Sequence, residues 1–205
     1  MNTFVAGNVT FLHAIVGRQC VVGKSMMMRR ETLELLGGFE SYKDVLAEDY
    51  LIGRDLSRQG RKVALSNHVV DNVNTHFSMS QFINRQVRWS KLRYRLAGPA
   101  YGFEFLSNPV LLATLMLPAS ATNHLFAVLW AATCMLKVCA DIHKGYIMGS
   151  RMRYYRYLLS PVKDLMAGWF NVVPFFDRSV TWRGNRMRIG RDTRLDPEGS
   201  QSPDR

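Results

Sequence analysis

Cysteine and histidine are scarce in this sequence, acidic residues are outnumbered, and one long stretch carries no charge at all. Cys20, Cys134 and Cys139 are odd in number and form no CxxC pair. They read as three free thiols in a reducing compartment, which argues against a disulfide scaffold. The five histidines stand at no usual metal-ligand spacing, so a histidine-based metal site is not expected. Residues 1–10 show neither a basic start nor a sustained apolar run, so no signal peptide is expected there. Repeats are absent too. Only 16 acidic residues face 27 lysines and arginines, a formal charge of +11. Such a charge suits nucleic acid, an anionic membrane surface or a phosphate-bearing substrate. The cations bunch at 85–95, 137–163 and 178–194 and flank apolar segments, which favours a membrane surface over a nucleic-acid groove. No recognisable nucleic-acid module is present.

A chain of 205 residues can bury one good core, or one small domain plus membrane segments. Residues 2–16 mix Phe4, Val5, Phe11, Leu12, Ile15 and Val16 with Gly7 and read as a helix entered midway, so the chain is expected to begin inside a domain. The apolar runs 20–23 and 25–29 suit two brief buried strands or one bent one. Residues 30–36 predict a short helix stopped by Gly37-Gly38, with Phe39 packing back onto its last turn. Residues 46–56 predict another, with Ile52 and Leu56 at helical spacing and Glu48 and Asp49 in the first turn. There the unpaired N–H groups and the helix dipole hold a carboxylate ionised. An ionised, oriented carboxylate is what a general base requires, although a helix-start acid would look the same. Residues 62–65 and 69–70 read as two further short strands.

Ser78-Met79-Ser80-Gln81 matches a capping box and starts a helix running to about residue 96. On it Arg85, Arg88, Leu92 and Arg95 share a face, with Trp89 one turn beyond Arg85. Arginine forks suit a diphosphate and an indole can cover a sugar. A solvated basic face with Trp89 as a packing anchor is the alternative.

No charged residue occurs from 105 to 136, a run longer than the roughly 20 residues of one span. Pro118, Ser120, Thr122, Asn123 and His124 interrupt it, so a helical hairpin over about 105–140 is expected. Its outer flanks are basic and its turn is not, which puts both ends in the cytoplasm. A buried hairpin in a soluble helical protein is the alternative. Residues 158–176 contain Lys163 and Asp164 and read as an interfacial or re-entrant element. Residues 181–186 read as a surface strand or turn. The polar tail from Asp192 is expected to be disordered.

The order of these motifs carries a resemblance. Cys20-Val21-Val22-Gly23-Lys24-Ser25, Met28-Arg29-Arg30, Gly37-Gly38-Phe39, Glu48-Asp49-Tyr50, Arg85 to Trp89 and Trp182-Arg183-Gly184 resemble the C-terminal half of ceramide glucosyltransferases, over most of residues 7–190. Family 2 glycosyltransferases share the ED and (Q/R)xxRW signatures, and bacterial hopanoid N-acetylglucosaminyltransferases are close neighbours. The resemblance implies an α/β fold, here the C-terminal part of a nucleotide-sugar glycosyltransferase domain (1–100), followed by a membrane region (101–177) and a basic cytoplasmic tail (178–205). It implies an integral membrane enzyme with its catalytic part on the cytoplasmic face, moving a sugar from a UDP-sugar, UDP-glucose first, to the primary hydroxyl of a membrane lipid such as ceramide with inversion. Asp49, beside Glu48, would be the general base, and Arg85, Arg88 and Trp89 would support the diphosphate and the acceptor. The family's divalent metal, Mg or Mn, is held by a DxD motif that this chain lacks. The isolated chain is therefore expected to be an inactive fragment. A lipid N-acetylglucosaminyltransferase and a non-catalytic accessory or degenerate paralogue are the alternatives.

Overall fold

A computed structural model describes residues 21, 23, 25–64, 66, 78–177, 179–182 and 185–197. The chain divides into two compact units, 1–76 with 179–205, and 77–178. The basic helix, expected with the catalytic half, belongs to the same unit as the apolar helices.

In the first unit, α1 (Arg30–Leu35) and α2 (Glu48–Arg58) flank a 3-10 turn, Phe39–Tyr42. α1 stops at Gly37 and Gly38, whose φ values of +83° and +71° lie where only glycine enters without steric cost. The Gly38 N–H returns to the Leu33 carbonyl at 3.0 Å, closing the last turn. Phe39 does not pack back on α1 as expected; it is exposed, and the 3-10 turn that follows buries Tyr42 instead. Leu51, Ile52 and Leu56 line one face of α2 and form this unit's core with Tyr42, with Met28, Leu36, Val45 and Val63 around it.

β1 (Ser179–Trp182), β2 (Asn185–Ile189) and β3 (Leu195–Pro197) make an antiparallel sheet in that order. Val180 stands opposite Met187, and Ile189 opposite Leu195. The tail expected to be disordered is thus ordered through Pro197. Its composition could not show this, because the order comes from distant partners: Leu46 N–H donates to the Thr193 carbonyl at 3.0 Å and Leu195 N–H to the Asp44 carbonyl at 2.9 Å.

Among the described residues the structure is mostly helical with this one small sheet, so the α/β expectation is met only to that extent. Residues 26–29 and 61–64 carry no strand. The expected helix at 2–16, the run 20–22, the strand at 69–70, the motif residues Arg183 and Gly184, and 198–205 lie outside the described residues, Val21 apart.

In the second unit, α3 (Met79–Ala97) begins at the predicted box: Gln81 N–H donates to Ser78 Oγ at 3.2 Å and Ser78 N–H to Gln81 Oε1 at 3.0 Å. After a 3-10 turn at Gly98–Gly102 come α4 (Phe103–Leu106), α5 (Pro109–Met116), a 3-10 stretch Leu117–Ala121 and α6 (Leu125–Ile147). α5 and α6 pack as a hairpin, with Trp130 Nε1 donating to Thr114 Oγ1 at 2.9 Å. The arms are unequal, because Pro118 removes a helical N–H and the chain tightens to 3-10 there. Among the described residues α6 alone is long and apolar enough to cross a membrane; a bent pair, Met79–Leu106 with Pro109–Ala121, passes together at 58°.

A 3-10 turn, Tyr154–Leu159, leads into α7 (Ser160–Val172). α7 turns Ser160, Asp164, Gly168 and Asn171 inward and leaves Val162 and Trp169 outside. Gly168 gives room to Leu111: a Cβ there would sit 2.8 Å from Leu111 Cδ2. Between α6 and α7 four charges alternate. Lys137 Nζ lies 3.0 Å from both Asp141 and Asp164, and Lys163 Nζ lies 2.9 Å from Asp141 and 3.6 Å from Asp164. Each of the four charges, the buried Asp141 and Asp164 and the half-buried Lys137 and Lys163, has two opposite neighbours, the condition for removing ions from water without leaving one uncompensated.

Candidate active site

The acidic and basic motifs belong to different units. Asp49 stands at the second position of α2, after an N-cap, Ala47, that has no side-chain cap. Its carboxylate does that work locally: the Tyr50 N–H donates to Oδ1 at 2.7 Å. Oδ2 accepts the Gly23 N–H at 2.7 Å. Both oxygens are oriented by main-chain donors, which do not swing as side chains do. One turn along α2, Gly53 admits the same segment, since a Cβ there would lie 2.7 Å from Val21 Cγ2. A Cβ on Gly23 would stand 3.0 Å from Asp49 Oδ2. Residues 21 and 23 therefore lie along α2 because two glycines allow it. Glu48 is exposed and Asp49 half-buried, so the two acids have different surroundings.

The start of α2 is pinned from the far end of the chain. Ala47 N–H donates to Thr193 Oγ1 at 3.2 Å, and Thr193 is fully buried at a φ of +60°. Arg54 bridges Asp55 at 3.0 Å and Asp192 at 2.6 Å. Burial alone would lower the Arg54 pKa; its hydrogen bonds to Asp192 and Asp55 overcome that and raise it. Tyr42 donates to Asp55 Oδ2 at 3.0 Å, and its hydroxyl is pushed up to about 12 by burial first and by this carboxylate second.

On α3 the Arg85 guanidinium lies 5.7 Å from the Trp89 ring centroid, within cation–π range. Arg88 is half-buried and Arg95 exposed. The helix is held by other residues. The Ser90 hydroxyl donates to Asn171 Oδ1 at 2.9 Å, and Arg93 Nη2 to the same oxygen at 3.0 Å. Arg93 Nε grips Glu104 at 2.7 and 2.9 Å, and Lys91 Nζ meets Asp177 at 2.7 Å. Tyr94 packs edge-on against Tyr101 and Phe175. These contacts set the rotation of α3, and with it the direction of Arg85, Arg88 and Trp89. Among the described residues no group of three or more His, Cys, Asp or Glu could hold a metal ion.

The sequence pattern of glycosyl transferase family 21 matches residues 1–195. The chain belongs to glycosyl transferase family 21. As a family 21 chain it is similar to ceramide glucosyltransferase 3 of Caenorhabditis elegans, 28% identical over 178 residues, 83% of this chain and 38% of that protein. It is also similar to ceramide glucosyltransferase 1 of the same organism, 24% identical over 182 residues, 85% of this chain and 39% of that protein. The chain thus spans about two fifths of the length of these relatives. No solved structure matches it. The resemblance to ceramide glucosyltransferases therefore holds.

Three groups of residues escaped the sequence reading. Gly23 stood in a quoted motif with no role, Thr193 in a tail expected to be disordered, and Ser90, Arg93 and Asn171 in no motif. A capping residue missing before Glu48 was the one local sign that something distant must hold the start of α2.

Proposed function

We propose that this chain forms the acceptor side of an inverting lipid glycosyltransferase that moves glucose from UDP-glucose to the primary hydroxyl of ceramide. The observation that carries this reading is the Asp49 carboxylate, held by the main-chain N–H groups of Gly23 and Tyr50 at 2.7 Å each. The lipid hydroxyl passes its proton to Asp49 as its oxygen attacks the anomeric carbon. The bond from that carbon to the diphosphate oxygen breaks on the opposite face, inverting the centre, and UDP leaves with the electron pair. The guanidinium groups of Arg85 and Arg88 stabilise the charge developing on the diphosphate. Trp89, beneath the Arg85 guanidinium, covers the sugar.

The divalent ion that family members bind would stabilise the same diphosphate. Neither the sequence, which lacks DxD, nor the described residues offer ligands for it, and no step above is routed through it. We assign the nucleotide and metal half to a part of the enzyme outside these residues, and the catalytic part to the cytoplasmic face of the membrane.

The test is Asp49→Asn in the enzyme form that contains both halves, assayed in washed membranes with labelled UDP-glucose and ceramide. Transfer is expected to fall by about 10²–10⁴ with unchanged expression. Unchanged turnover removes Asp49 from the mechanism. The 205-residue chain alone is expected not to retain UDP-glucose, and micromolar binding would overturn the division into halves.

A further inference from the structure

α7 buries small and polar side chains together with one aromatic ring, Phe170, and leaves a broad apolar surface outside. Ser160, Asp164, Gly168 and Asn171 point into the unit, while Trp169 is 70% exposed and Phe176, just beyond the helix, 85% exposed. Leu158, Leu159 and Val162 continue the outer apolar surface. A face of this kind in water would be an aggregation site, so something apolar covers it.

The charge beside it says what. From residue 142 to 163 the sequence contains no Asp or Glu. The carboxylates at either end, Asp141 and Asp164, are buried and committed to Lys137 and Lys163. Lys144, Arg151, Arg153 and Arg156 are all exposed, and none forms an ion pair among the described residues. The Tyr155 hydroxyl sits among them, its pKa lowered by hydrogen bonds from Arg156 and Arg153. Tyr146, Tyr154 and Tyr155 are exposed as well, the residue type that gathers where hydrocarbon meets headgroups. Continuity supplies the depth. Asp141 lies six residues before the end of α6, about 9 Å along its axis, so α7 packs beside the last turns of the helix apolar enough to span.

We propose that the face running from Lys144 to Phe176 rests on an anionic phospholipid leaflet, with Trp169 and Phe176 in the acyl boundary and Arg151, Arg153 and Arg156 on lipid phosphates. A second copy of this chain would bring like charges together, and an acidic protein would leave the apolar stripe without an equivalent partner. An anionic leaflet presents hydrocarbon and a net negative layer of phosphates a few ångströms apart, which matches both the apolar stripe and the unopposed arginines. This inference does not depend on the proposed reaction.

The experiment uses the full chain reconstituted in nanodiscs of phosphatidylcholine with or without phosphatidylserine. The Trp169 signal is read as the fluorescence difference between the unaltered chain and Trp169→Phe, with bromine-labelled phosphatidylserine or phosphatidylcholine as quencher. Trp169 is expected to be quenched by bromolipid and shielded from aqueous quencher. Brominated phosphatidylserine should quench at least several-fold more strongly at equal content, and added salt should weaken that preference. Replacing Arg151, Arg153 and Arg156 together by Gln should lower it by about tenfold or more, with helicity checked by circular dichroism. Equal quenching by the two lipids in the unaltered chain overturns the anionic preference even if the triple variant fails to fold. Trp169 open to aqueous quencher overturns the docking itself. Cross-linking between copies through Trp169→Cys, in a background lacking the native cysteines, would show that a second copy covers the face and would also overturn it.

Discussion

α2 and α7 are both amphipathic helices, and they differ in what they bury. α2 buries Leu51, Ile52 and Leu56 and shows Ser57 and Arg58 to solvent. α7 buries Ser160, Asp164 and Asn171 beside a single aromatic ring, Phe170, and shows Val162 and Trp169. Hydrophobic burial holds the first, whereas a compensated ring of charges and a hydrogen-bonded amide hold the second together with Phe170, edge-on to Phe82. The contrast teaches that apolar residues do not by themselves mark an interior. On the leaflet docking proposed above, the outer apolar side of α7 is solvated by lipid, and polar pairing becomes what specifies packing.

The contrast can be broken most sharply at the charge ring. Asp141→Ala leaves Lys137 and Lys163 without one of their two partners and should cost about 4 kcal/mol, read by denaturant titration in micelles. Replacing Lys137, Asp141, Lys163 and Asp164 together by Met and Leu should cost far less, within about 1 kcal/mol of neutral. If the fourfold variant is the less stable, the ring contributes more than compensation. Next in size, Ile52→Ala should cost about 3 kcal/mol through its cavity, while Val162→Ala on the outer face of α7 should stay within about 0.5 kcal/mol in micelles. Equal losses at the two positions would abolish the distinction between the helices.

A smaller loss than at Ile52 is expected at Tyr42, whose hydroxyl bond to Asp55 is worth about 1 kcal/mol. Its folded pKa of about 12 lies above the ordinary value of 10.0. Its contribution is therefore fully present below pH 10 and is lost as pH rises from 10 toward 12. Tyr42→Phe should be less stable below that window, and the difference should close within it; denaturant curves on either side check this.

Much of the chain was legible in its residues. Ser78 and Gln81 announced α3, Gly37 and Gly38 ended α1, and the motif order led to the family. These signals are local: caps, periods and left-handed glycines act within a turn or two. Several features were not legible. Thr193 holds the start of α2 from the opposite end of the chain, and the Gly23 N–H reaches Asp49 across an intervening helix. Ser90 and Arg93 looked like one more part of a basic face until Asn171 was found beneath them.

The sequence by itself determined where α1 and α3 begin and end, which stretch is apolar enough to span, and the family to which the chain belongs. Only the tertiary structure decided which side of α7 is inside and what orients Asp49. A period of 3.6 residues shows that a helix has two faces, but the medium each face meets depends on partners far away in the chain.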